Sequence, residues 1–430
     1  MSGTPHIKSL NVAIETTFGS VDVATGLVDA SAIIGYVSIE CERAPILVIG
    51  ETPVNERPDT RTEFYVHAPE PDTACDTSGN PIPRRTGQLT IDMVHRMVGS
   101  ATTFADYAAM PIGMLFNSVF RSTVPPGALT DTIGAGVSVT EFTPGILGNF
   151  ADGIMICQAQ DGVGEYSYVT DASGANVIMS PAMANAPTGT MRIGTTFTPA
   201  TQFNQLGPSL AFRGDGDGFR WYATGCRPSS VSITADPRMV KMSWTIECSH
   251  IYDDNGNAAV SEPVIGDGCV AHMLQARTVV STAAVNGVAA PAAEARTEMI
   301  VDDFSASLTW TLASRGTSST PIGVADLEVT DFVAEVDLMA SIACAPLTQD
   351  TFLRRELHSV SVGLSNVAAG NGLNIYLPAA ALQADPNIRD LSGDIIRHHY
   401  LFKQSGPWTG DATGTASSPG GKPFRIGLGN

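Results

Sequence analysis

Positive charge is what this sequence has least of. Its 430 residues include 24 lysines and arginines against 43 aspartates and glutamates, a net charge of −19. Affinity for DNA comes largely from basic side chains that displace counterions from phosphates, so a chain this acidic is a poor DNA binder. A surface along which DNA slides without sticking is compatible with the same balance, and so is plain solubility. Long apolar runs are missing too: no stretch approaches the roughly 20 uncharged residues that span a bilayer. The opening MSGTPHIKSLNV lacks the charged and apolar regions of a signal peptide, so the expectation is a protein made and folded in cytoplasm, with no membrane partner.

Cysteine is sparse and scattered. The seven (Cys41, Cys75, Cys157, Cys226, Cys248, Cys269 and Cys344) are odd in number, widely spaced and contain no CxxC, so neither a disulfide framework nor a zinc ribbon is indicated. Most read as small buried apolar residues. No Gly-x-Ser-x-Gly, Walker loop, dinucleotide fingerprint or HExxH occurs, and nothing asks for an enzyme, a cofactor or a metal.

What is present is the material of strands and turns. Apolar residues make up 43% and charged residues 16%, with 42 glycines and 27 prolines, too apolar for disorder and rich in turn formers. The expected fold class is mainly β, and the length suits two or three domains. Val240 to Ser249 alternates without a slip: Val240, Met242, Trp244, Ile246 and Cys248 on one side, polar residues on the other. Strands are also expected at Ile7–Glu15, Tyr36–Glu42, Gln88–Met93, Phe304–Leu312, Val329–Met339, His358–Gly363, Asn374–Leu377 and Ile395–Lys403. One helix stands out. Pro111 followed by Ile112, Leu115, Phe116, Val119 and Phe120 has the spacing of an amphipathic helix with proline in its first turn, and it is expected to cover one face of a sheet.

Several stretches break this pattern. Residues 51–87, with six prolines and scattered charges, form a loop or long hairpin too long to be a casual connection. Residues 133–200 read as a small β subdomain, in which FADGIMICQAQDGVGEYSYVTDASGANVIMSP, residues 150–181, gives three short strands. TAAVNGVAAPAAEA, residues 282–295, is alanine-rich and marks a boundary. Two segments share an order: GCRPSSVSITADPRMVKMSWTIECSH and YLPAAALQADPNIRDLSGDIIRHHYLFK each hold a proline-marked corner, a short strand, an Ala-Asp-Pro turn and a longer outgoing strand. The inference is two diverged copies of one β-rich unit, at 1–255 and 298–430, joined by a linker with connecting strands at 256–297. The second copy shows no obvious helix and no counterpart of the insertion.

The candidate sites are weak. Cys248 and His250 share a strand face and Cys226 lies nearby, so a thiolate and imidazole metal site is conceivable; the same face carries Trp244 and Ile246, which favours core. His398 and His399 alternate sides and cannot share a pocket. Asp215 and Asp217 in RGDGDGFRW suggest a calcium loop, but the closing glutamate of an EF-hand is missing, and a hairpin turn is the simpler reading. The same holds for Asp253-Asp254-Asn255-Gly256. Arg213-Gly214-Asp215 as an adhesion tripeptide suits a tight turn poorly. No catalytic, cofactor-binding or metal residue is assigned.

The order of strands, long proline-rich loop, amphipathic helix and closing GCRPSSVSITADPRMVKMSWTIECSH hairpin resembles the tail tube proteins of long-tailed bacteriophages. The C-terminal NIYLPAAALQADPNIRDLSGDIIRHHYLFK, followed by a glycine-rich end with Phe424, Arg425 and Ile426, looks like the close of such proteins. The resemblance implies two tandem tail-tube-like β-sandwich domains with a flanking α-helix. It implies a virion structural protein that polymerises into stacked rings around a DNA conduit, with strands of neighbouring copies joined into one barrel. The 51–87 loop would contact the next ring. Three copies of a duplicated chain would make a pseudo-sixfold ring. Expected partners are its own copies, the tape measure, tail terminator and distal tail proteins, and DNA in transit. Alternatives are a capsid-decorating or tail-tip β protein, or a carbohydrate-binding module or hydrolase using the 133–200 insertion.

Overall fold

The computed structural model describes residues 7–19, 33–50, 86–94, 110–160, 163–199, 206–216, 219–235, 239–254, 277–282, 296–316, 324–341, 343–344, 347–364, 372–386, 389–390, 397–404 and 424–429. Most of the 51–87 loop, the alanine-rich connection after Thr282, the Asp236-Pro237 turn, Asp217, Cys75 and Cys269 lie outside them. The protein is mainly β, and every pairing among the described strands is antiparallel.

The N-terminal half runs β1 Ile7–Glu15, β2 Ile33–Ile39, β3 Ile46–Gly50, β4 Thr86–Val94, helix α1 Pro111–Val119 and β5 Phe120–Thr123. A subdomain follows: β6 Thr130–Thr132, β7 Ala135–Ser138, β8 Glu141–Thr143, β9 Met155–Gln160, β10 Val163–Asp171, β11 Val177–Ser180 and β12 Thr190–Pro199. The half closes with β13 Leu210–Gly216 and the long pair β14 Phe219–Ala235 and β15 Val240–Asp254. The C-terminal half runs β16 Thr278–Thr282, β17 Arg296–Met299, β18 Val301–Gly316, β19 Val324–Ala340, helix α2 Gln349–Leu353, β20 Leu357–Leu364, β21 Gly372–Leu382, β22 Arg389–Asp390, β23 Arg397–Gln404 and β24 Arg425–Gly429.

The same pairing order occurs in both halves. The first reads β2-β1-β13-β14-β15-β4-β3. The second reads β17-β16-β20-β21-β23-β19-β18. Substituting strand for strand also preserves chain order, and in each half the helix follows the fourth strand of the series. Where β23 leaves β21, β24 takes its place from Tyr376↔Arg425 to Gly372↔Gly429, as the C-terminal part of β15 accompanies β14. The prolines expected at corners sit at breaks in register. The β14–β15 ladder slips between Pro228 and Ser230, and the β20–β21 ladder slips where Pro378 and Ala379 lie. Proline cannot donate to a ladder, so a bulge is where a strand tolerates it.

Past its bulge β14 leaves β13 and pairs with β18, from Ser230↔Thr309 to Ala235↔Phe304. That seam joins the halves into one row of eight strands: β3-β4-β15-β14-β18-β19-β23-β22. Alternation puts Val240, Met242, Trp244 and Ile246 of β15, Phe304, Leu308 and Trp310 of β18, and Phe332, Val336 and Leu338 of β19 on its buried side. One hydrophobic core runs through both halves.

Helix α1 covers that side at the seam. Phe116 meets Trp244 edge-on at 4.9 Å, and Phe120, the residue that ends the helix, meets Trp310 at 5.1 Å and Phe332 at 5.4 Å. Pro111 at the start needs no amide partner, and Phe120, in an extended conformation, starts β5. Each buried aromatic of this kind contributes about 2–3 kcal/mol through the area it removes from water, so α1 fastens to both halves at once.

Three expectations need correction. The second half does have a helix at the same place: α2, closed by a Thr348 capping box, is five residues long and too short to show periodicity. The three short strands expected within residues 150–181 are β9, β10 and β11, and the subdomain adds β6, β7 and β8, each three or four residues long. Asp253 and Asp254 belong to β15 rather than a turn. Tyr36–Glu42 shifts to Ile33–Ile39, with β3 after it.

Candidate functional site

The side of the eight-strand row that faces away from the core is a hydroxyl-rich surface. Register places Gln88, Thr90 and Asp92 of β4 beside Lys241, Ser243, Thr245 and Glu247 of β15. Ser230, Ser232 and Thr234 of β14 follow, then Ser305, Ser307 and Thr309 of β18. The two central strands therefore carry only hydroxyls over the length of the seam. Glu335, Asp337 and Met339 of β19 and His399, Leu401 and Lys403 of β23 complete it.

Its lysines are tied to carboxylates. Lys403 Nζ lies 3.0 Å from Glu335, and Lys241 Nζ lies 2.5 Å from Glu42. His399 Nε2 is 2.6 Å from Asp337, Arg43 pairs with Asp92, and Gln88 donates to Glu247 at 2.8 Å. Partial burial works to raise the Asp92 pKa, but hydrogen bonds from Arg43 and Ser243 outweigh it and hold the carboxyl below its ordinary value. Exposed pairs like these contribute little to stability. What they do is offset the positive charge of the basic side chains on this face.

Among the described residues the row has two open ends: β3 pairs only with β4, and β22 only with β23. β3 is apolar on both sides: Leu47 and Ile49 pack against the core, while Ile46 and Val48 are 52% and 58% exposed. An uncharged apolar edge is a ready template for another strand, the kind soluble monomers usually block.

The subdomain is fastened to the C-terminal half. Glu165 of β10 is buried and pairs with both Arg277 and Arg296, and each arginine also reaches Glu298. The Tyr168 hydroxyl donates to Asn374 at 2.7 Å, its ring stacks on Tyr376 at 5.2 Å, and the buried Arg425 guanidinium lies 5.4 Å from it. Tyr166 lies across Gly363 and Gly372, where any Cβ would collide with its ring. Tyr166, Tyr168 and Glu165 of this insertion are thus engaged in packing it onto the C-terminal half.

The sequence-level candidates part company. Cys226 and Cys248 are directly opposed on β14 and β15, with Thr224 opposite His250 one step further. Among the described residues no three His, Cys, Asp or Glu side chains gather in a way that could hold a metal ion. Asp215 is buried between Arg213 and Arg220, neutralised by two guanidinium groups rather than open to calcium. His399 faces Asp337, and its neighbour His398 stacks on Tyr400. Of the cysteines described, Cys157, Cys226, Cys248 and Cys344 are buried and Cys41 half-buried. Sequence reasoning missed the apolar edge β3, whose signal was the uncharged ILVIG just before the long loop. No described helix is long and apolar enough to cross a membrane.

No family model matches the chain, and no curated protein matches it.

Proposed function

We propose that this chain is the tail tube subunit of a long-tailed bacteriophage, two tandem tail-tube-like units that join edge to edge with other copies into rings, the rings stacking into a DNA conduit. The observation that carries the proposal is the β14–β18 seam. There the first half uses its β14 to extend a sheet through the second half's counterpart of β3. The other end of the row is β22, which follows β21, the second half's counterpart of β14, and the first half has β3 itself at the opposite end. Repeating the internal seam between copies would therefore occupy both ends with contacts of a kind the fold already makes. Such a head-to-tail interface closes into a ring when its rotation allows. With two units per chain, three copies would give a pseudo-sixfold ring.

The hydroxyl-rich, lysine-neutralised face supports a lumen through which a polyanion passes with little adhesion. In this reading the protein belongs to the virion, with its own copies, a tape measure protein, a tail terminator and a distal tail protein as partners. No cofactor, metal or catalytic residue is called for. Negative-stain microscopy of the purified full chain tests it: rings or tubes with a central channel are expected, and compact monomers under every assembly condition would sink the proposal.

A further inference from the structure

Cys226 and Cys248 face each other across the β14–β15 ladder, both buried, their Sγ atoms 2.7 Å apart. Their positions are held from several sides. Gly225 next door has φ 60°, a conformation glycine adopts freely, and its N–H donates to the buried Glu15 carboxylate. A Cβ at Gly225 would meet the Phe18 ring at 2.9 Å. The flanking pairs Thr224↔His250 and Arg227↔Glu247 keep the strands zipped, so the two sulfurs cannot drift apart unless the ladder opens. No other two described cysteines oppose each other in a ladder.

We propose that Cys226 and Cys248 are a disulfide-forming site, oxidised reversibly by a small-molecule disulfide of the glutathione type. A disulfide needs about 2.0 Å between its sulfurs with the Cβ atoms about 3.8 Å apart. Closure at this pair therefore asks for only a small side-chain adjustment. In the reaction one cysteine thiolate attacks the oxidant's S–S bond, releasing one small thiol and leaving a mixed disulfide. The second cysteine displaces the remaining small thiol. One protein S–S bond forms, the oxidant's S–S bond breaks, and the two electrons and two protons leave on the two small thiols.

Burial raises the Cys226 pKa, and the hydrogen bond and charge of Cys248 raise it further, so little thiolate exists in the folded protein. Oxidation is accordingly slow in the folded state and fast while the hairpin is still forming. The cross-link lies just before the Pro228 bulge, where β14 passes from its ladder with β13 to its seam with β18, and fixes the strand pair there. This site does not depend on the proposed function, since it involves only pairing within one chain.

The test is to refold the full chain in a mixture of reduced and oxidised glutathione, quench with acid, then denature, alkylate and map the peptides by mass. Five of the seven cysteines are expected to be alkylated, with residues 226 and 248 joined and a thermal midpoint above that of the reduced protein. The difference in midpoint should vanish on reduction and be absent from Cys226→Ala and Cys248→Ala. Alkylation at both positions after oxidative refolding, or a cross-link mapping to other cysteines, would overturn the proposal even if both variants fail to fold.

Discussion

Arg227 on β14 and Asp326 on β19 form a two-pronged ion pair between the halves of the protein, Nε to Oδ1 at 2.9 Å and Nη2 to Oδ2 at 3.1 Å. Nη1 of the same guanidinium donates to the carbonyl oxygens of Gly207 and Ser118. Arg227 is buried, whereas the Asp326 side chain is 23% exposed. Removing the arginine takes a donor from two carbonyls and both guanidinium bonds from the carboxylate, which keeps the Leu327 N–H. Removing the aspartate leaves an arginine that still has two acceptors. Arg227→Met is therefore expected to cost about 3–5 kcal/mol of unfolding free energy and Asp326→Asn clearly less. Chemical denaturation of both variants checks the ranking, and equal losses would contradict it.

The hydroxyl face predicts how DNA adhesion is switched on. Ser232 and Ser307 are directly opposed across the seam and both exposed. Ser232→Lys with Ser307→Lys adds two positive charges on the central strands, and the carboxylate opposite Ser307, Glu335, is already paired with Lys403. Assembled variant tubes should retain DNA at low salt and release it steeply as salt rises, while the wild type retains little at any salt. Binding isotherms at two ionic strengths decide it. Strong retention by the wild type would mean that the face is not the lumen.

The open end at β3 predicts a separation of folding from assembly. Val48→Lys places a charge on an already exposed edge position. It should shift monomer stability by less than about 0.5 kcal/mol, as surface changes usually do. Ring formation should be lost, as read by sedimentation or microscopy. Normal rings from the variant would remove β3 from the interface.

The long connection between β3 and β4 predicts a second separation. β4 begins at Thr86, so a deletion meant to spare the sheet should end before it. Replacing residues 53–83 with a short glycine-serine turn is expected to allow folding and ring closure and to stop stacking. Full-length tubes from the deletion would end the loop's role in contacts between rings.

Buried His358 predicts a pH dependence. Desolvation lowers its pKa below the ordinary 6.5, with Glu356 pulling weakly the other way, and its Nε2 has no hydrogen-bond partner among the described residues. The unfolded chain therefore takes up the proton first as pH falls. The stability linked to this group is complete above about pH 6.5 and declines as pH drops from there towards the folded-state pKa. Denaturant midpoints between about pH 8 and 5 should fall more for the wild type than for His358→Gln; parallel curves would show that another group governs the acid limb.

Individual elements show how far local pattern reaches. The Val240–Ser249 alternation marks β15 because a half-buried strand must present opposite faces to opposite environments, and the 3.6-residue spacing after Pro111 marks α1 for the same reason. The two proline-marked corners were legible because a strand accommodates proline mainly at a break, and Pro228 and Pro378 lie at breaks. The short strands β6 to β8 and helix α2 were not, since three to five residues are too few for a period to emerge. Asp215 looked like a ligand in the sequence because its two arginine neighbours are chelating partners only once the β13–β14 hairpin closes.

Chain composition and periodicity settled the class of this protein: mainly β, acidic, with one prominent amphipathic helix, since those properties depend only on neighbours along the chain. Long-range register decided the rest: which strands lie side by side across hundreds of residues, that β14 continues into β18, and that the row ends in the apolar β3. Pairing of that kind reflects the loop closures and core contacts of the whole molecule, and no local window contains them.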